Sequence, residues 1–342
     1  MKRRLLIAAG ILAAVLLLLT YETFWASNTF EGDRIVIVSK GESFKQVLDS
    51  LEHAGAIRSR MFFSLAGRVL NLTTRMQVGK YRFKSGMSNK DILNDLQRGL
   101  SIIPIAVLIP EGVRAARIAR ILSKELSIDS VRFVTLVHDT DFIKNLGIGS
   151  SSLEGYLMPN TYDFYWQADE RNIIQALVAQ FKQVFEDSLK ARAEKIGLTV
   201  NEVLTLASII DGETSIDSER AVVAGVYYNR LKKHMRLQAD PTIQYIIGNG
   251  PRRLVRSDLF IESPYNTYRH TGLPPGPVNN PGKSAIVAAL YPAHHKYLYF
   301  VATGEGGHKF SRTFEQHKSA VKKFRKFRRQ QDIEKESQQQ GS

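Results

Sequence analysis

Two carboxylates separated by one glycine, Asp211-Gly212-Glu213-Thr214, close the apolar stretch Asn201 to Asp211 (NEVLTLASIID). Acids placed where a buried helix meets a polar loop are partly withdrawn from water. Desolvation then raises a carboxyl's pKa toward the range that general-acid chemistry near neutral pH requires. Residues two apart on a helix point about 200° away from each other. If the helix continues through the pair, Asp211 and Glu213 cannot both serve one cleft, and one of them is structural. Spacing leaves pairing with Arg220 or Arg230 open for either acid. Glu111, Glu154, Glu219 and Asp240 also lie in polar, Gly/Pro-marked surroundings, and spacing does not rank them.

Other chemistries find less support. GEGGHKF lacks the Lys-Ser/Thr of a phosphate-binding loop, and no nucleophile elbow marks a serine. The eight histidines include the adjacent pair His294-His295 but no H-E-x-x-H, so neither a metal nor a cofactor is expected. The absence of cysteine excludes disulfides, thiolate metal sites and a cysteine nucleophile. With 342 residues, 44% hydrophobic and 23% charged, the chain can bury a sizeable core and is long enough for two or three domains. The net charge of +14 points to an anionic partner without choosing among nucleic acid, membrane and wall polymer.

The elements that must position these acids follow from periodicity. RIVIV (34–38) reads as a strand ending at Lys40-Gly41, and Phe44, Val47, Leu48 and Leu51 recur at helical spacing up to Gly55. A second helix is expected over Met61 to Leu70, a strand at VGKYRF, and a helix capped by Ser88 with Asp91. IIPIAVLIPEG reads as a buried strand, followed by helical patterns from Arg114 to about Phe133 and from Asn172 to Lys195. Ser218 is expected to cap a helix through Val222, Val226 and Arg230. Beyond Leu237, eight prolines including Pro241, Pro251, Pro274 and Pro281 predict a long ordered loop region, which in a compact domain carries a site or a groove wall. HKYLYFVA then reads as a strand.

Both chain ends are distinctive. Lys2, Arg3 and Arg4 precede 17 uncharged, almost wholly apolar residues, Leu5 to Tyr21, with Phe24 and Trp25 where an interfacial belt would fall. The basic flank orients the N-terminus to the cytoplasm. A cleaved signal peptide is the competing reading, disfavoured by the lack of small residues at a suitable cleavage site. Lys318 to Ser342 starts as KSAVKKFRKFRR and ends polar, the pattern of a solvated helix end with a frayed tail. Its Phe324 and Phe327 among cations also suit a membrane surface or an anionic wall polymer.

ASIIDGET with Glu219-Arg220, then VAGVYYNRL, MRLQADPT, PYNTYRHTGLPPGP, NPG, YLYFVA and GGHKFS, resembles the YceG-like family, the endolytic murein transglycosylases known as MltG. VGKYRF, IPEG and LEGYLMPNTY match in the same order, so the resemblance runs from the anchor to about His317. It implies an α+β protein with an N-terminal transmembrane helix, a small LysM-like βααβ module, and a mixed α+β catalytic domain with a Pro/Gly-rich loop region. The implied division is a cytoplasmic N-terminus at 1–4, the membrane helix at 5–25, a linker at 26–33, the LysM-like module at 34–103, the catalytic domain at 104–317 and the tail at 318–342. The aromatic residues Phe44, Tyr81 and Phe83 of the module are core candidates first and glycan contacts second.

The resemblance further implies an inner-membrane enzyme, single-pass with its catalytic domain in the periplasm, acting without a cofactor on peptidoglycan glycan strands near penicillin-binding proteins and the elongation machinery. The family's second motif glutamate falls on Glu213, the implied catalytic residue, with Asp211 standing where relatives carry glutamate. Its pKa shift is expected from burial against Leu206, Ile209 and Ile210 or their neighbours. Cleavage of the bond between N-acetylmuramic acid and N-acetylglucosamine without water gives a 1,6-anhydro end, for which one acid/base suffices. Tyr228, Asn229, Arg230, Gln238, Asp240, Tyr265, Asn266 and Tyr268 are the candidate substrate contacts. Helix–loop hydrogen bonding is an equal reading for Asn229 and Arg230, helix capping is an alternative for Asp240, and His308 could orient a loop. Asn160 of LMPNTY is a poor catalytic candidate. The competing functions are a hydrolytic muramidase, with Asp240 or Asp211 as second carboxylate, and a non-catalytic glycan-binding scaffold of the envelope synthesis machinery. Nucleic-acid binding rests on charge alone.

Overall fold

Local signals set most helix starts. Ser43, Ser88 and Thr199 each accept the backbone N–H three residues on, while Gln46, Asp91 and Glu202 reach back to the cap residue. A computed structural model describes residues 1–74, 76–248 and 252–340, with side chains described through 331. Pro251 of the proline series, the last two residues and the tail side chains from 332 lie outside the described residues.

In chain order the elements are α1 (Lys2–Phe24), β1 (Arg34–Val38), α2 (Phe44–His53), α3 (Arg60–Val69), β2 (Gly79–Phe83), α4 (Asn89–Arg98) and β3 (Ile105–Ile109). There follow α5 (Ala115–Leu126), α6 (Ser130–Val137), α7 (Thr140–Asn145), β4 (Asn160–Phe164), α8 (Glu170–Val184), α9 (Asp187–Lys195), α10 (Val200–Glu213) and α11 (Asp217–Lys232). The chain closes with α12 (Asp240–Ile247), a 3-10 turn at Arg256–Phe260, α13 (Lys283–Leu290), β5 (Tyr299–Ala302), β6 (His308–Ser311) and α14 (Phe314–Gln340). The fold is mixed α+β, with β1–β2, β3–β4 and β5–β6 as separate two-stranded sheets.

The chain divides into two compact units, one built mainly from Met1–Val107 and one mainly from residues 170–342 with parts of 108–161. In the first, β1 and β2 pair antiparallel, Arg34 opposite Phe83 and Val38 opposite Gly79. Val36, Val47, Leu51, Phe63, Tyr81, Phe83 and Leu96 form its core. Tyr81 and Phe83 are wholly buried and stacked 5.5 Å apart, which places them in the core rather than on a glycan-accessible face. α1 is a 23-residue helix long and apolar enough to cross a membrane, and its residues up to Thr20 are exposed. Thr23, at its last turn, is buried and accepts from Asn89 Nδ2 at 3.0 Å through its carbonyl. The membrane-length segment thus runs directly into the first unit.

In the second unit the apolar helix α10 is central. Val203 to Ile210 are all buried, and α13, α11 and α12 pack around them. Two helical patterns resolve into pairs of helices, and two expectations need correction. The helical pattern from Arg114 to Phe133 is α5 and α6, parted because Asp129 caps a new helix on the N–H groups of Val131 and Arg132. The pattern from Asn172 to Lys195 is likewise two helices, α8 and α9. Ser218 is not a cap, since α11 starts at Asp217 after Ile216 and no side chain caps it. The segment beyond Leu237 is less a loop than expected, as α12, the 3-10 turn and α13 interrupt it. GGHKFS contributes β6, paired antiparallel with β5.

Candidate active site

Glu213 is the last residue of α10, half-buried where the helix emerges from the core. Leu206, Ile209 and Ile210 on the same helix are wholly buried. The groups that meet the carboxyl come from elsewhere. Tyr227 of α11 donates from its hydroxyl to Glu213 Oε1 at 2.7 Å. Its ring is buried and set edge-on to Phe300 of β5 with centroids 6.0 Å apart. The backbone N–H of Asp240, in the first turn of α12, also bonds the carboxyl. Burial pushes Glu213 up to about 7, with the Asp240 charge adding to the rise. The Tyr227 and Asp240 hydrogen bonds and the Arg230 charge pull the other way without offsetting it. Asp240 in turn accepts from the Tyr268 hydroxyl at 2.5 Å.

Asp211, two residues earlier, faces a different partner. Its side chain is 3% exposed and ion-paired with Arg220, which also holds Asp217 at 2.9 Å and Glu111 at 3.5 Å. The Gly282 backbone N–H completes the set around Asp211. The 200° separation of the two acids on one helix is therefore realised, with Asp211 tied to the start of α11 and Glu213 turned to Tyr227.

The candidate substrate residues divide into two groups. Tyr228 donates to the Ala289 carbonyl at 2.8 Å, and Asn229 Nδ2 donates to the carbonyls of His295 at 2.8 Å and Tyr297 at 3.0 Å. Arg230, buried, donates to the carbonyls of Leu298 at 2.7 Å and Leu237 at 2.6 Å and lies over the Tyr299 ring. Asn266, fully buried, donates to Leu259 and Ile261 carbonyls and accepts from the Tyr268 N–H. These four brace loops against helices. Gln238 is exposed with a left-handed φ of 49°, directly before the turn that delivers Asp240. Tyr265 packs on Tyr245 with centroids 4.7 Å apart. Gln238, Asp240, Tyr265 and Tyr268 thus keep polar surface near α12. Asp240 lies within the first turn of α12, which Ala239 precedes without a side-chain cap bond.

Sequence reasoning left Tyr227 out of the candidate contacts and named His308, Glu219 and Glu154 without their partners. Tyr227 was read only as a helix position while Tyr228 was a candidate contact, because adjacent helical residues point 100° apart and a Tyr-Tyr pair does not say which faces the acid. His308 is bound twice by Glu219, from its ring Nδ1 at 2.6 Å and its backbone N–H at 2.8 Å, fastening the β5–β6 hairpin to α11. Glu154 is buried and accepts from the Ala115 N–H at 2.9 Å and Asn280 Nδ2 at 2.7 Å, and burial pushes it up to about 7. No group of three or more His, Cys, Asp or Glu suited to a metal occurs among the described residues.

A half-buried acid at a helix end, bonded by a buried tyrosine and a helix N-terminus, sits inside a chain that matches the YceG-like family profile over residues 36–323. The chain belongs to the YceG-like family. It is 32% identical over 302 residues to a Bacillus subtilis (strain 168) protein named endolytic murein transglycosylase, covering 84% of this chain and 83% of that one. A protein of the same name from Streptococcus pneumoniae serotype 2 (strain D39) is 32% identical over 298 residues, which span 78% of this chain and 53% of that longer one. A YceG-like protein of Listeria monocytogenes, solved at 2.6 Å, superposes with a TM-score of 0.62 at 31% identity, covering 85% of this chain and 99% of its own.

Proposed function

We propose that this protein is a lyase of the lytic murein transglycosylase type, cutting glycan strands of peptidoglycan internally with Glu213 as its acid/base. The observation that carries the reading is the state of that carboxyl. It is half-buried, lifted to about 7, and oriented by Tyr227 and the Asp240 N–H. Such a group is protonated in a substantial fraction of molecules near neutral pH and can be re-protonated after each turnover. The names of the 32%-identical relatives support the substrate class.

In the proposed step, the Glu213 proton passes to the glycosidic oxygen as the bond from the muramyl C1 breaks, leaving the N-acetylglucosamine side with a free hydroxyl. The C6 hydroxyl of the same muramyl residue bonds to C1, and its proton returns to the Glu213 carboxylate. The product end is a 1,6-anhydro ring, and no water is consumed. The Tyr227 hydroxyl stabilises the carboxylate while the proton is away. Gln238, Asp240, Tyr265 and Tyr268 are proposed to contact sugar, with Tyr228, Asn229, Arg230 and Asn266 holding the groove walls. The first unit is proposed to be LysM-like, and α1 to hold the protein in the inner membrane with the second unit in the periplasm beside the synthases whose nascent strands it would end.

Hydrolysis is the second reading, because the Asp240 carboxylate is near enough to raise the Glu213 pKa and could orient a water. Mass analysis of products from uncrosslinked glycan separates the two, since an anhydro end cannot arise by adding water. Loss of cleavage in Glu213→Gln with anhydro ends from the unaltered protein is the expected result. Reducing ends would transfer the assignment to hydrolysis, and unchanged cleavage by Glu213→Gln would remove the acid from the reaction.

A further inference from the structure

The second unit contains a cavity of about 800 Å³ formed by the β5–β6 hairpin and α14, apart from the groups that meet Glu213. Strand alternation gives the hairpin two faces. Phe300 and His308 look toward Tyr227 and Glu219, and Phe310, opposite Phe300 on that face, also lines the cavity, while Val301, Lys309 and Ser311 on the other face line it with α14. Cations enter this space from three places, Lys309 on β6, Arg312 just after it and Lys323 on α14, against the single acid Glu305. None of the three is in an ion pair among the described residues, and only Arg312 has an aromatic partner, lying 5.9 Å from the Tyr297 ring centre. Tyr297 and Phe324 add ring surface to the walls.

Cations with aromatic walls in a concavity suit an anionic group carried on a saccharide, whose apolar sugar face stacks on rings while its carboxylates meet lysine and arginine. A flat bilayer surface would not fill such a hollow. One hairpin carries both Phe300, which packs on the Glu213 partner Tyr227, and the cavity-lining Phe310 and Lys309, so the acid's surroundings and the cavity are built on the same element. We propose that this cavity is a second substrate site, which takes the carboxylate-bearing peptide stems of the glycan strand bound at Glu213. The inference rests on the murein reading above and adds a preference for stem-bearing over denuded strands.

The test uses the full chain in detergent micelles, carrying Glu213→Gln so that bound strands stay intact. Binding of soluble glycan strands is measured with stems present and after their enzymatic removal, with and without Lys309→Ala and Lys323→Ala together. The expected result is roughly tenfold weaker binding of stem-bearing strands by the double variant, each exposed charge contributing on the order of threefold. Denuded strands should bind both proteins equally, and added salt should erase the difference. An equal loss on both ligands, or no loss, overturns the proposal. So does a Lys309/Lys323 effect seen only on vesicles of anionic phospholipid. If instead Glu213→Gln still cleaves strands, the parent reading fails, which that control shows separately. Thermal melting of the double variant guards against a folding defect.

Discussion

Tyr227 and Glu213 lie on consecutive helices, and the phenol donates to the carboxylate across 2.7 Å from a position that is itself 1% exposed. A buried hydroxyl in this place has no water to bond instead, so its contact with Glu213 is fixed by the packing of α10 on α11 and by Phe300 over the ring. The acid's protonation is therefore tied to a buried tyrosine held by packing.

Removing that donor shifts the titration in a defined direction. The hydrogen bond favours the charged form, so Tyr227→Phe should raise the Glu213 pKa further and move the alkaline limb of the pH–rate profile upward by about one unit. Relative to the unaltered protein, activity should fall least above pH 7, where the raised pKa keeps more of the acid protonated. A limb that stays in place would show that Glu213 does not set it.

Glu154 gives a stability prediction with its sign fixed by burial. Its folded pKa is raised to about 7 from 4.5, so its contribution is full below about 4.5 and is lost as pH rises through about 7. Glu154→Gln keeps an acceptor for the Ala115 and Asn280 donors and cannot ionise. The variant should match the parent at pH 5 and exceed it at pH 8.5 by about 2 kcal/mol, read by denaturant unfolding at the two pH values. Equal stability at both would place the carboxyl's titration outside this window.

The Asp211–Arg220 pair is the structural counterpart of the acid. Arg220→Ala leaves a carboxylate with 3% side-chain exposure without its cation, beside Glu111 and Asp217. The expected cost is about 3 kcal/mol or more, with Asp211→Asn in the same chain recovering part of it. A thermal melt of the single and double variants checks this, and a single variant as stable as the parent would refute it.

Detaching the hairpin should lower turnover more than fold stability. Glu219→Gln weakens the double hold on His308 and, through the β5–β6 hairpin, the seat of Phe300 on Tyr227. Cleavage should drop on the order of tenfold with KM for the strand little changed, consistent with a misplacement of the acid's partner. Restored turnover in a Glu219→Asp variant would mark the hold on the hairpin as what matters, whereas full activity in Glu219→Gln would show that the clamp is dispensable.

Much of this molecule could be read locally. The capping boxes at Ser88 and Thr199 and the apolar run of α10 carry their own start signals, because a cap and its backbone partner are three residues apart. The membrane-length helix and the position of Glu213 at a buried helix's end follow from the same kind of pattern. Helix breaks at Asp129 and Glu186 were hidden because apolar periodicity ran across them. The packing that parts α8 from α9 is not written in spacing.

Sequence alone determined that Asp211 and Glu213 face apart if one helix runs through both, and the structure carries α10 as far as Glu213. It did not determine which of them is paired. That choice was made by tertiary structure, which brings Arg220 under Asp211 and Tyr227 with the α12 N-terminus under Glu213. The same holds for the named loop residues. In sequence Asn229 and Arg230 read equally as sugar contacts and as loop braces, and Asn266 as a sugar contact, and only the closing of loop carbonyls around them shows what they hold. The physical reason is common to all of these cases. Periodicity reports which face of an element is apolar, but a carboxyl's pKa and a side chain's partner depend on groups dozens of residues away, whose arrival is decided by core packing.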